Sequence, residues 1–372
     1  MSTASLFRPV LVLAANTPWV YALARSLADY TAVTAVRLHD LSNYVRLKPQ
    51  WPETESAVHR VSCVMPPGYA GNLEPLFRPF MRGLIAYQRL RLRKMTGSDP
   101  LVLVPYPYMA GWVRGVPRDR LVYYNLDEYP FYDPSRRDRI LKQEGELVAR
   151  ARLTLCLSVH QVLTLRSRNA PHACRIRHFP LGVVEDFLNP EPHRQPVPRS
   201  IGYVGNLSDR VDWEFVVAVA RLMPEAEFHF VGEVHPEANS RGWHAARTQA
   251  FAMPNVHYEG QTPQAEVRNH YWRYAVNWMP YDTQHGFNIA SCPTKIMDAL
   301  ASGRPFVSTD IPEVQLYPDR IACVKTPAEA SRVLSCLLGE QSPVNASLQI
   351  EFARAHTWHN RAIDFQRFIR ES

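Results

Sequence analysis

The chain of 372 residues is 46% apolar and 21% charged, a globular balance that excludes a disordered chain, and its length suits two domains better than one core. Its six cysteines (Cys63, Cys156, Cys174, Cys292, Cys323 and Cys336) form no CxxC pair, which excludes a zinc-ribbon spacing or a disulfide framework and predicts small buried hydrophobes in a reducing cytosol. The net charge of +7 is uneven, with 25 Lys+Arg against 14 Asp+Glu in residues 1–185 and 17 against 21 in the remainder, so the first half is expected to meet an anionic surface or ligand.

The first predicted strand is Val10–Ala14, followed by a turn with Asn16 and Trp19 and a helix to about Asp29. No apolar run reaches the roughly 18 residues of a membrane span. Residues 81–95 (MRGLIAYQRLRLRKM) read as a helix. On a wheel of 100° per residue, Arg82, Arg89 and Arg93 fall within about 40°, beside a stripe of Met81, Leu84, Ile85, Leu92 and Met95 about 100° wide. Arg91 and Lys94 add charge. That pattern fits an interfacial helix on an anionic membrane, or a core-packed helix with a solvated basic face. Nucleic acid is not expected as a partner, because no recognisable module accompanies the charge.

Leu101–Val104, Leu121–Tyr124 and Leu153–Leu157 are short continuous apolar runs of the buried parallel-strand type, with a charged helix over 136–150. The Leu121 strand runs into Asp127 and Glu128, and acids at a strand's carboxyl end can take a proton from an acceptor hydroxyl. Asp127 is the first choice, Glu128 the second, and a loop role for both stays open. Trp19 could stack on a sugar or pack in the core.

Four prolines between 189 and 199 predict an extended linker. A second alternation follows, with strands at Ile201–Val204, Phe228–Val231, Ala275–Met279 and Phe306–Ser308 and helices near 212–222, 263–270 and 293–302. The fold class is therefore α/β, with two Rossmann-like domains facing a central cleft. Gly205 ends the first of these strands, where backbone N–H groups can approach a phosphate. Asn206 adjoins it, and Arg210 can add a charge-assisted contact. The stretch 280–313 carries Tyr281, His285, Asn288 and Ser291 in a loop, then a helix from Pro293 with Ser291 as its expected cap and Thr294 in its first turn. A helix N-terminus suits a diphosphate. Lys295 in that first turn fits an anion beside it, or a solvated surface. Asp298, on the same face, fits ribose hydroxyls, or the helix dipole.

PTKIMDALASGRPFVSTDIPEV resembles the P-x-K-x-x-E-y-l-A-x-G-x-P-V-V-S-T block of the GT-B glycosyltransferases, of the family 4 and family 1-like group. IGYVGNLSDRVDW is similar to the opening of their donor domain, NVHYEGQTPQAEV to its N-V-x-x-x-G strand and loop, and FARAHTWHNRAIDF to the A-x-x-x-S-W-x-x-R helix. VYYNLDEYPFY and HFPLGVVEDF match the first domain more loosely. The resemblance implies an acceptor domain at 1–185, a linker at 186–199, a nucleotide-sugar domain at 200–350 and a helix at 351–372 returning to the first domain. It implies a cytoplasmic, metal-independent hexosyltransferase without a cofactor. The donor would be a nucleoside-diphosphate-sugar. The acceptor would be a saccharide, lipid-linked, in envelope or exopolysaccharide assembly, with an acid near Asp127 in several inverting members. Many retaining members carry two glutamates eight positions apart. Here Asp298 aligns with the second and Ala290 with the first, so His285, Asn288 or Ser291 would meet the donor sugar. An epimerase on the same fold and a catalytically silent nucleotide-sugar-binding protein are the alternatives.

Overall fold

A computed structural model of the chain describes residues 7–49, 51, 57–234, 242–339 and 345–372. It divides into two compact units, Met1–Gly182 with Trp358–Ser372, and Val183–Thr357.

The first unit is a seven-stranded parallel sheet of β1 (Val10–Val12), β2 (Val33–Asp40), β3 (His59–Met65), β4 (Leu101–Val104), β5 (Leu121–Asn125), β6 (Leu153–Cys156) and β7 (Ile176–His178), ordered β3-β2-β1-β4-β5-β6-β7. The continuous apolar runs β4 and β5 are buried along their whole length. Its helices are α1 (Pro18–Ala28), α2 (Leu41–Leu47), α3 (Glu74–Thr96), α4 (Arg137–Arg150) and α5 (Val159–Arg168). Pro18 sits where its missing N–H costs nothing, and α5 starts at a reciprocal Ser158–Gln161 capping box. The C-terminal helix, Trp358–Glu371, buries Trp358, Ala362, Phe365 and Ile369 in this unit. Arg152 donates to the Ile369 carbonyl at 2.7 Å.

Helix α3 turns most of the predicted stripe inward: Met81, Ile85 and Leu92 lie in the core and Leu84 packs against it, whereas Met95, in the last turn, is exposed. Two of the three clustered arginines are tied within the protein. Arg82 donates to the Gly111 carbonyl at 2.8 and 2.9 Å, and Arg89 pairs with Asp99 at 2.7 Å. The side of α3 that periodicity offered to lipid is thus the side that packs.

The second unit has six parallel strands, β8 (Val197–Val204), β9 (Glu227–Val231), β10 (Val256–Gly260), β11 (Tyr274–Met279), β12 (Phe306–Thr309) and β13 (Ala322–Val324), ordered β10-β9-β8-β11-β12-β13. Helices α6 (Trp213–Leu222), α7 (Trp243–Phe251), α8 (Val267–Arg273), α9 (Gly286–Ala290), α10 (Thr294–Ala301), α11 (Pro327–Leu338) and α12 (Ala346–Ala355) complete it. The strand order repeats that of β1–β6 in the first unit, although the sequence shows no internal repeat. Each sheet reverses direction of growth beside its first strand, between β1 and β4 and between β8 and β11, where open α/β sheets bind ligands.

The proline-rich stretch is held against the second unit. Its last three residues open β8, and Asn189 donates from its backbone to Ala301 and from its side chain to Ser302. The Arg304 guanidinium collects the carbonyls of Trp272, Pro192 and Arg194 at 2.9, 3.1 and 2.7 Å. One side chain thereby fixes backbone that proline keeps out of regular structure. The cysteines are mixed: Cys63, Cys156 and Cys292 are buried, whereas Cys174 and Cys336 are exposed.

Candidate donor and acceptor sites

In the second unit the sheet's switch point gathers cations around a bare backbone. β8 ends at Val204, and Gly205 follows with φ +143°, a conformation open to glycine. A Cβ at Gly205 would stand 2.2 Å from Lys295 Nζ, so the missing side chain is what admits the ammonium group. Gly232, after β9, has φ +144°, and a Cβ there would stand 2.0 Å from the Gly205 carbonyl oxygen. Two strand ends therefore come together backbone to backbone.

Lys295 reaches this point from the first turn of α10. That helix begins after Pro293, which offers no side-chain cap, so its first N–H groups are not met by a capping oxygen. Ser291 is not the cap expected from the sequence. Its Oγ accepts from Arg210 Nη2 at 2.8 Å. Asn288 is fully buried, which removes it from sugar contact. Its Oδ1 accepts from Arg210 Nε at 2.7 Å, and its amide donates to the carbonyls of Arg210 and Asp282. Asn288 and Ser291 thus aim Arg210. Backbone bonds from Asp212 to Pro280 and from Asp282 to Arg210 zip the two loops together.

Tyr281 lies between the cations, with Arg210 5.1 Å and Lys295 5.6 Å from its ring centre. Burial pushes its hydroxyl up, but Lys295 and Arg210 outweigh burial and pull it below the usual phenol range. Half-buried Asp298, one turn beyond Lys295 on α10, is pushed up to about 7 by burial, with Lys295 opposing. His285 turns Nε2 toward Asp209 at 3.4 Å. Asn206 and Thr294 are exposed beside Gly205 and at the start of α10, and the Asn206 carbonyl accepts from Tyr203.

In the first unit a cavity of about 430 Å³ opens at the carboxyl edge of the sheet, lined by Trp19, Tyr106, Tyr132, Asp127, Arg136 and Arg139 among others. Asp127 follows β5 by two residues. Its Oδ1 accepts from the Glu128 backbone at 2.9 Å, and Oδ2 accepts from the Tyr132 hydroxyl. Glu128 lies apart from this edge: its carboxylate is buried and pairs with Arg168 at 2.8 Å. Burial and the Arg168 pair favour a structural role for Glu128 over a proton-accepting one. The same Arg168 meets buried Glu144 at 3.4 Å. Glu144 is pushed up to about 7, first by burial and then by the neighbouring Glu128 charge. Asn16 clasps β2, donating to the Leu38 carbonyl at 2.7 Å and accepting from its N–H at 3.1 Å. Asn16 nonetheless stays exposed with a second amide hydrogen, while Trp19 is the expected acceptor contact that lines the cavity. Sequence reasoning passed over Tyr132, Arg136 and Arg139, which share the cavity wall with Asp127 because the irregular segment after β5 folds back there; Arg139 lies on α4.

Residues 198–334 match the family model "Glycosyl transferases group 1". The matched stretch lies within the second unit and is similar to group 1 glycosyltransferase domains. TuaH of Bacillus subtilis (strain 168), named for a glycosyltransferase of teichuronic acid biosynthesis, is 28% identical over 112 residues, which are 30% of this chain and 27% of TuaH. The match therefore spans about a quarter of that relative. Anabaena HepE, crystallised with UDP, superposes with a TM-score of 0.71 at 13% identity, covering 98% of this chain and 100% of HepE. The catalytic domain of starch synthase IV from Arabidopsis thaliana, bound to ADP and acarbose, gives 0.64 at 10% identity, covering 98% and 99%. These likenesses fix the architecture as GT-B. The matched stretch begins within β8 and holds every residue of the Gly205–Lys295 cluster. Among the described residues, no group of three or more His, Cys, Asp or Glu side chains could hold a metal ion, and no helix is long and apolar enough to cross a membrane.

Proposed function

We propose that the protein is a glycosyltransferase that takes a sugar from a nucleoside-diphosphate-sugar held by the second unit and passes it to a saccharide held by the first. The observation that carries this reading is the Lys295 ammonium against bare Gly205 at the uncapped start of α10. A diphosphate there meets a full cation, backbone N–H groups and the positive end of the helix dipole, with Arg210 beside it. These groups stabilise the negative charge that grows on the departing nucleoside diphosphate, so the reading includes no metal. In this reading Asp298 accepts from ribose hydroxyls, and Asp127, at the wall of the first unit's cavity, takes the acceptor proton. Tyr132 holds its carboxylate in place. Solved neighbours bound to UDP and to UDP-glucose support the donor class.

The acceptor is a lipid-linked saccharide used in envelope or exopolysaccharide assembly, at the inner face of the cell membrane. The relative named for teichuronic acid biosynthesis supports that direction. An aromatic cavity with an acid in its wall favours transfer over epimerisation, which needs the donor alone. Ala290, where many retaining members carry an acid, favours the silent-binder alternative. A calorimetric screen of nucleoside diphosphates and their sugars tests the donor half. One of them should bind, and Lys295→Ala should weaken that ligand about 10- to 100-fold, as for a lost charge-assisted contact. Failure of the whole screen, or equal affinity in the variant, overturns the assignment.

A further inference from the structure

Helix α3 has two apolar faces, and the core uses one. Opposite Met81, Ile85 and Leu92 stand Leu76, Phe80, Tyr87 and Leu90, which are 72%, 56%, 61% and 51% exposed. At 100° per residue these four fall within about 80° of one another. Gly83 belongs to the same row, and nothing lies within 4 Å of the place its Cβ would take. Lys94 continues the row, which runs about 27 Å along the helix. An apolar row of that length on the outside of a folded chain marks an interaction surface.

The charge around it says with what. Arg82, Arg93 and Lys94 are exposed on α3, and the helix's single acid, Glu74, is buried in a pair with Arg78 at 2.7 Å. The short helix α2, in the same unit, repeats the chemistry. It has no buried residue, it exposes Leu41, Val45 and Leu47, and it carries Arg46 and Lys48 with no acid between Leu41 and Lys48. A second copy of α3 would bring like charges together. A phospholipid surface takes both features at once, because apolar side chains enter the acyl boundary while arginine and lysine meet headgroup phosphates.

We propose that the outward face of α3, through Leu76, Phe80, Tyr87 and Leu90 with Arg93 and Lys94, docks the first unit on an anionic phospholipid surface. The inference deepens the reading of the acceptor as lipid-linked. Its test needs neither donor nor acceptor. The full chain is sedimented with phosphatidylcholine vesicles, with and without phosphatidylglycerol, at physiological salt, and melting temperature, solution mass and nucleotide affinity are measured on the same samples. The parent should bind the phosphatidylglycerol vesicles. Leu76→Ser/Phe80→Ser/Leu90→Ser should bind at least about tenfold more weakly with an unchanged melting temperature. Arg93→Gln/Lys94→Gln should lose roughly thirtyfold, through the charges alone. A parent that ignores both vesicles, or a triple variant that sediments like the parent, overturns the proposal. So does a parent dimer that the triple variant converts to monomer, which would make the row a self-interface. Any of these with nucleotide affinity intact leaves the donor reading standing.

Discussion

Gly205→Ala separates a binding role from a folding role at one position. The added Cβ would meet Lys295 Nζ at 2.2 Å and Cε at 2.4 Å, both at the far end of a flexible side chain. The lysine can retreat, and ordinary contact requires it to move by more than about 1 Å. Drawing an ammonium from about 3 Å to about 4.5 Å from a phosphate oxygen removes roughly 2 kcal/mol at an effective dielectric near 20. Nucleoside-diphosphate affinity should therefore fall about 10- to 100-fold. Alanine at φ +143° adds strain of about 1–3 kcal/mol, several degrees in melting temperature. Gly202→Ala is the contrast, because its Cβ would stand 1.8 Å from the Tyr274 ring, inside the sheet's packing. That variant should fail by unfolding. Calorimetric titration with the ligand found in the screen, paired with thermal melts, reads both. The reasoning is refuted if Gly205→Ala binds like the parent, or if its affinity loss only follows a collapse in stability as large as that of Gly202→Ala.

Asp127→Asn should lower transfer about 10²- to 10⁴-fold while leaving donor affinity and melting temperature near the parent's, as for a lost general base. Glu128→Gln should do the reverse, lowering the melting temperature through its pair with Arg168. Arg210→Lys cannot meet Asn288 and Ser291 together, so donor affinity should fall several-fold with little change in stability, checked by the same titration. The Glu144 carboxyl is raised to about 7 in the fold, so between about pH 4.5 and 7 the folded state keeps a proton that the unfolded chain has lost. Its contribution to stability falls as pH rises through that window, and Glu144→Gln should flatten the decline, by about 1–3 kcal/mol in denaturant melts at pH 5 and pH 8.

The strands that sequence reading found are those buried on both sides, such as β4, β5 and β12, where packing demands an unbroken apolar run. β2 and β3 escaped it because Arg37, His39, His59 and Arg60 interrupt them, and β3 lies at the sheet edge with little burial. Gly205 and Lys295 could be nominated from sequence, since a glycine after a strand and a cation in a helix's first turn each break a local preference. That the helix start would face Gly205 across 90 residues is also legible, but the close contact that the missing Cβ admits is not. The inward turn of Asn288, the burial of Glu128 and the clasp of Asn16 on Leu38 are three-dimensional facts about polar side chains, and composition treats a ligand contact and a backbone clasp alike. Helix α3 shows the limit of periodicity most plainly. Two apolar rows lie on it, and the wheel alone does not say which one the core takes.

The account stands or falls on transfer itself. The purified protein should be incubated with the sugar nucleotide it binds and with a panel of lipid-linked saccharides, and products followed by mass together with release of nucleoside diphosphate. The account predicts one acceptor that gains the mass of a single sugar, with nucleotide release that depends on that acceptor and is lost in Asp127→Asn. Tight donor binding with no release under any acceptor would contradict it, as would acceptor-independent return of a donor sugar altered at one stereocentre.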